Sequence, residues 1–383
     1  MAGLINNWLS AAEQLTVNEA QPAWLKAQRE RAGMQLKSYQ DPSRKLEYWR
    51  YADAGRLAEE KSSSGQLKDL GEVPQWVITI SEHGYNLSEN WPAHLQVSSI
   101  MDAKPEQLKD LDFDQETAAN LSNTLLYSQG VGLIAAPSED SGQVVVIYDF
   151  AEAGKWHYVR NQFVLSANSG ITVHEQLSSG RINVVNVFDV NSKARLNRLQ
   201  HINLNEQGAM VGFTCYELAE GAEVISMNWH QGGSLQHHIQ QVNFNQSESL
   251  FKSGSINKSF DNNNITDIVN VNHHHKNNRS EVTHRSMAKD RSQIFNNAKA
   301  LVAPGADQSE IEQDLKNILL SEDAKIFSKP ELEVYADEVI AAHGSTIGAL
   351  DEQSLFYLQS RGIPVAEARD IMIESFEQEA IIC

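Results

Sequence analysis

The sequence predicts a mainly β protein, with a parallel β-helix as its core and helical parts at both ends. Four observations carry this. Strand-like clusters recur through the middle of the chain: VVVIY near 146, FVL near 164, VVNVF near 186, INL near 203, VISMNW near 226, VNF near 243 and IVNV near 270. Their spacing is roughly 20 residues, a scale that marks a repeat array or solenoid. No helical segment of useful length interrupts the stretch, and further strands such as MVGFTCYEL lie between some clusters. Within strands the side chains alternate: Ile202 and Leu204 share one face, and His201, Asn203 and Asn205 the other. The region is also rich in Asn, as in NNNITDIVNVNHHHKNNRS, and amides can stack between the rungs of a β-helix. A seven-stranded sandwich is the competing architecture, but its turns come every ~8–12 residues, closer together than the clearest period here.

Taken in order, residues 1–130 read as an N-terminal helical and mixed region, 131–348 as the β-helix core and 349–383 as a C-terminal helical subdomain. LINNWLSAAEQL sets Leu4, Trp8, Ala11, Ala12 and Leu15 on one helical face. Pro22 suits the first turn of a second helix carrying Trp24 and Leu25. DPSRKLEYWRYADAGRLAEE reads as a third, with Asp41 or Ser43 as cap. EEKSSSGQLKDLGE resembles a linker; WVITI is a short strand and DQETAANLSNTLLYSQG has helical pattern. Beyond GSTIG, Asp351 caps a helix whose buried stripe is Leu355, Phe356 and Leu358, and Gly362 ends it. Pro364 opens the last helix, with Ala368, Ile371, Met372, Ser375 and Phe376 as its apolar face. Those two helices either pack on the β core or offer a ridge to another protein.

The charge balance narrows the function. The 383-residue chain carries 31 basic and 50 acidic residues, a net charge of −19, which repels nucleic acid and anionic membrane. No apolar run approaches the ~20 residues of a membrane span. MAGLINNWLSAAEQL lacks the basic start and long apolar centre of a signal peptide, so the cytoplasm is the expected compartment. Cys215 and Cys383 are the only cysteines, too few for a disulfide framework or an all-cysteine metal site. GSINKS at 254–259 and GVGLIAAP lack the glycines of nucleotide loops, so no nucleotide is expected on this chain. There is no G-x-S-x-G elbow, and Cys215, in VGFTCYEL, reads as a buried structural thiol.

Histidine is the remaining chemistry. In the run His273-His274-His275 a strand would point His273 and His275 to one side, where they could share a metal completed by His237, His238 or His284 from adjacent rungs. The alternative is a polar strand end. His343, in VIAAHGSTIG, stands alone among small neighbours. It reads either as a buried histidine beside the Gly344 turn or as a metal ligand at an interface, with the other ligands coming from elsewhere.

Several stretches resemble one family. RSQIFNN, KPELEVYADEV and HGSTIGALDEQSLFYLQSRGI, all within residues 289–363, are similar to the C-terminal signature of the SufB/SufD family of iron–sulfur cluster assembly proteins. KLEYWRYAD resembles the Trp-Arg-Tyr stretch of its SufD branch. Members of that branch commonly have Cys-Ser-His-Gly where this chain has Ala341-Ala342-His343-Gly344, so the histidine is matched and the cysteine is not. The resemblance implies a right-handed parallel β-helix and a non-catalytic scaffold subunit of the SufBCD complex. It implies SufB as partner through the β-helix and the SufC ATPase through the C-terminal helices, with Phe356, Tyr357, Ile371 and Met372 as candidate anchors. His343 is implied as a contributor to a transient iron–sulfur cluster or iron shared with SufB. The isolated chain has a homodimer as its alternative assembly. Two other functions stay open: a SufB-like paralogue, disfavoured because no cysteine lies between 216 and 382, and a β-helix carbohydrate-active enzyme, disfavoured because 131–345 holds no dense Asp cluster.

Overall fold

A computed structural model describes residues 3–18, 22–59, 67–70, 75–104, 108–139, 142–150 and 155–382. The linker-like EEKSSSGQLKDLGE lies largely outside these described residues. The N-terminal part holds α1 (Leu4–Asn18), α2 (Ala23–Lys37), β1 (Gln75–Ser81), β2 (Gly84–Leu87), β3 (Leu95–Ser99) and α3 (Ala118–Leu126). The coil then runs through β4 (Val131–Ala135), β5 (Gln143–Asp149), β6 (Trp156–Leu165), β7 (Gly170–Leu177), β8 (Arg181–Val190), β9 (Arg195–Leu204), β10 (Ala209–Leu218) and β11 (Glu223–Gly232). It continues with β12 (Leu235–Phe244), β13 (Leu250–Ser259), β14 (Asn264–His273), β15 (Arg279–Ala288), β16 (Gln293–Val302), β17 (Ser309–Leu319), β18 (Lys325–Val334) and β19 (Val339–Gly348). Two helices end the chain, α4 (Glu352–Ser360) and α5 (Val365–Gln378).

The strands coil into two sheets. One is ten-stranded, in the order β19-β17-β15-β13-β11-β9-β7-β5-β1-β2; the other is nine-stranded, β18-β16-β14-β12-β10-β8-β6-β4-β3. All pairings are parallel except β1 with β2 and β3 with β4. The architecture is the expected parallel β-solenoid, and the sheets reach upstream of residue 131 through β1, which pairs with β5. The repeat is longer than the roughly 20 residues read from the sequence. Leu235 pairs with Asn264, and Asn264 with Gln293, 29 positions further on each time. Each turn of the coil thus uses two strands. The sequence clusters mark β5, β6, β8, β9, β11, β12 and β14, MVGFTCYEL is β10, and β7 and β13 are passed over because they carry polar or small residues at inward positions (Glu175; Ser253 and Ser255).

The lumen is filled by inward-facing residues of both sheets, among them Phe163, Phe188, Tyr216, Phe244 and Phe251. Alternation holds along β9, where Ile202 and Leu204 are buried and Asn203 is exposed. Burial of this apolar surface is the main force closing the coil. A buried Arg198–Glu175 ion pair joins neighbouring strands β9 and β7 inside it, and Arg198 Nη1 also donates to Asn228 Oδ1 and Tyr216 Oη.

Helices cover the outer faces. α1 and α3 pack on the nine-stranded sheet, where Trp8, Leu121 and Leu125 join Val185, Val187, Val211, Phe213 and Ile239. The KLEYWRYAD stretch is not the helix expected of it. It is a chain of turns laid across several rungs, and its aromatic residues reach rungs that a single helix face would not. Trp49 stacks on His237 at 4.0 Å between ring centres, Tyr51 stacks on Phe327 at 3.7 Å, and Tyr48 Oη meets Asn270. Asp41 caps a different helix: its Oδ1 accepts from the Ile5 backbone N–H.

α5 lies on the ten-stranded sheet. Ile373, Phe376, Ala380 and Ile382 pack against Met227, Ile256 and Met287, and Glu379 pairs with Arg285 and Lys316. Gly254 is required beneath it, because an added Cβ would stand 2.3 Å from the Ala380 carbonyl oxygen. The buried face is rotated from the expected one: Ile373 takes the inward place and Ile371 is exposed. α4 has its Asp351 cap as expected, but none of its residues is buried, and Phe356 of the expected stripe is 71% exposed.

Candidate functional site

The two last strands make the molecule's open end. β19 pairs only with β17, and β18 only with β16, so each presents a free edge of N–H and C=O groups. Such edges are normally short, charged or covered, because they pair readily with another chain. Here they are ten residues long each and carry exposed apolar side chains: Val334 (39%), Ile340 (71%) and Ile347 (48%).

His343 sits in the middle of β19. Register fixes its orientation: it follows Gln313 of β17 and Val282 of β15, both buried on the lumen side. Its neighbours in alternation, Ser345 and Ile347, follow Leu315 and Asn317, also buried. His343 therefore belongs to the row of side chains that fills the lumen, at the one place among the described residues of this row where no further rung covers it. Two cross-links hold the rim: Ser345 Oγ to Ser328 Oγ of β18 at 2.8 Å, and Asn317 Nδ2 to the Thr346 carbonyl at 2.8 Å. Small neighbours, Ala341, Ala342 and Gly344, leave the imidazole uncrowded, and an added Cβ at Gly344 would meet nothing within 4 Å. The imidazole is thus exposed in the middle of a strand, without a second metal-binding side chain in its own stretch.

The other predicted residues fall in different places. Phe356 and Tyr357 on α4 and Ile371 on α5 are exposed, and Met372 is half-buried. They lie next in sequence to the open end but on helices, so they offer a separate surface. His273 and His275 do not share a face. The strand stops at His273, whose ring turns into the lumen against Phe244 and bonds Ser280 Oγ at 2.9 Å, whereas His275 is exposed in the following turn. Period-two alternation cannot reach past the end of a strand, so the His273–His275 pairing is corrected. His237 is likewise withdrawn, held under Trp49 with its Nε2 on the Tyr48 carbonyl. His238 and His284 do converge, not with His273 but with His230 and Asp267. The sequence reading passed over those last two, although both fall at inward positions of their strands. Cys215 is buried as expected; burial and neighbouring Glu217 push its thiol well up, which leaves it unreactive.

Among the described residues no helix is long and apolar enough to cross a membrane. Residues 149–376 match the family model described as SUF system FeS cluster assembly, SufBD core domain. The chain is 28% identical over 195 residues to the iron–sulfur cluster assembly protein SufD of Escherichia coli (strain K12), covering 50% of this chain and 46% of that protein. The match thus spans about half the length of that relative. A SufBD family protein of Synechocystis is 36% identical over 98 residues, 26% of this chain and 22% of its own. The SufD of Bacillus subtilis (strain 168) is 22% identical over 93% of this chain and 89% of its own.

Proposed function

The chain belongs to the family of SUF system FeS cluster assembly proteins that share the SufBD core domain, and from that membership we propose that it is a non-catalytic scaffold subunit of a cytoplasmic SufBCD-type complex. The uncovered double edge of β18 and β19, with His343 at its centre, supports this best. A SufB-type β-helix is the partner that fits, because a strand edge is completed by another strand edge and a solenoid lumen by another solenoid end. His343 then supplies a neutral nitrogen ligand to transient iron or to a nascent cluster, which is the cargo, and sulfur ligands come from the partner. The exposed Phe356, Tyr357 and Ile371 on α4 and α5 suit docking of the SufC ATPase. ATP chemistry belongs to that partner, and no nucleotide is assigned to this chain.

The test is His343→Ala in cells lacking the native chain. The expected result is a folded protein that copurifies with both partners and fails to mature iron–sulfur enzymes. Normal enzyme activity in that strain removes His343 from the mechanism. Docking is tested apart from this by Phe356→Ala with Tyr357→Ala, which leaves the α5 packing intact; retained ATPase binding rejects the docking assignment.

A further inference from the structure

Inside the lumen four ionisable side chains converge from opposite sheets. His230 of β11 and His284 of β15 come from the ten-stranded sheet, His238 of β12 and Asp267 of β14 from the nine-stranded one. All four are 0% exposed. One donor atom from each of His230, His238 and Asp267 lies within 4.8 Å of the others, and His284 Nε2 stands 3.7 Å from Asp267 Oδ2. We infer that this cluster is a binding site for one first-row divalent ion of borderline character, Zn²⁺ or Fe²⁺, which joins the two sheets across the lumen.

The arrangement of partners carries the inference. His230, His238 and Asp267 each have one polar atom tied down and another left bare. His230 Nδ1 bonds Gln236 Oε1 at 2.9 Å, while its Nε2 has no hydrogen-bond partner. His238 Nε2 bonds Thr214 Oγ1 at 3.1 Å, and its Nδ1 has none. Asn257 Nδ2 donates to Asp267 Oδ2 at 3.1 Å, and Oδ1 is bare; both ring nitrogens of His284 are bare as well. Unpaired buried polar atoms are costly and rare, and here five of them belong to one group of four side chains. The Gln236 carboxamide is itself oriented, its Nε2 donating to the carbonyls of Gln231 and Gly232, so its oxygen must face His230. At His230 and His238 this is the outer arrangement of a metal site, in which one ring nitrogen is fixed by a hydrogen bond and the other is left free to ligate.

Space and charge agree. Gly212 pairs in register with His238, and a Cβ there would stand 2.8 Å from the His238 ring, so glycine makes room for the imidazole. Burial holds His230, His238 and His284 below the usual histidine range, so they are neutral and able to ligate near neutral pH. Imidazole with one carboxylate suits zinc or ferrous iron and suits calcium or magnesium poorly. Bonds of about 2.0–2.2 Å would draw the donors closer together than they stand here. The site is independent of His343 and of the partner-binding reading.

The full chain, in a His343→Ala background and without a histidine tag, is incubated anaerobically with Zn²⁺, Fe²⁺ or Co²⁺ alone, desalted, and its metal measured by mass spectrometry. About one equivalent per chain is expected, with two or three imidazole scatterers in X-ray absorption. His238→Asn with Asp267→Asn should lose at least about five-fold of that metal. No bound metal, a water-filled cluster in a high-resolution crystal soaked with Zn²⁺, or undiminished binding in the double variant would overturn the site. If circular dichroism shows the double variant unfolded, the Co²⁺ spectrum of the background protein decides, and absence of imidazole-ligand bands overturns it.

Discussion

The middle rungs and the last rung of the solenoid share one repeat and use their side chains differently. In the middle, inward residues meet partners on neighbouring rungs: Phe188 stacks on Phe163 and Tyr216 within the nine-stranded sheet, and Arg198 meets Glu175 within the ten-stranded one. At the end, the same inward row continues as His343, Ser345 and Ile347, all exposed, and outward Ile340 is exposed too. Folding explains the first set. Nothing among the described residues explains the second, since apolar residues on a long free edge favour association.

The sharpest contrast is expected at the buried ion pair. Glu175→Ala leaves Arg198 charged and uncompensated in the lumen, which should cost about 3–5 kcal/mol in urea unfolding. A cost under about 1 kcal/mol would mean that the lumen admits water there. Trp49→Ala should come next, at about 3 kcal/mol, because it removes a fully buried indole and its stack on His237. Its effect should appear as release of the KLEYWRYAD strap, read by faster proteolysis near that segment.

Acid should separate the two regions further. Burial pushes the His237 and His174 pKa values down to about 4 and those of His201 and His273 to about 3. For such groups the unfolded chain binds the proton first. Their stabilising contribution is full above pH ~6.5 and falls as pH drops toward the folded values, by up to about 3 kcal/mol for His237. His237→Phe should therefore flatten the stability curve between pH 6.5 and 4; an unchanged slope would show that His237 does not stay neutral. At the open end the effects on folding should be smallest. Ile340→Asp and Phe356→Ala should each change stability by less than about 0.5 kcal/mol.

Much of this was legible in the sequence, by different means in different places. Alternation at Ile202 and Leu204 gave the strands, and the caps at Asp351 gave the helices. The true turn length was not legible, because β7 and β13 place polar or small residues inward and hide among the loops. The HHH run drew attention by composition, yet the end of β14 at His273 separates its members. His230 and Asp267 stand in unremarkable strands; they meet only because register 27 to 29 positions apart and the closing of two sheets bring them together, as in Leu250 beside Glu223 and Asn264 beside Leu235. Position 343 stood out because its neighbours are small. That it continues the lumen row is a matter of register alone.

The central claim is that the β18–β19 end exists for a SufB-type partner. It is tested most directly by measuring partner stoichiometry for Ile340→Asp with Ile347→Asp, coexpressed with SufB and SufC. The account predicts an unchanged melting temperature for the isolated chain and loss of the SufB-type subunit from the purified complex. A complex of undiminished stoichiometry would contradict it.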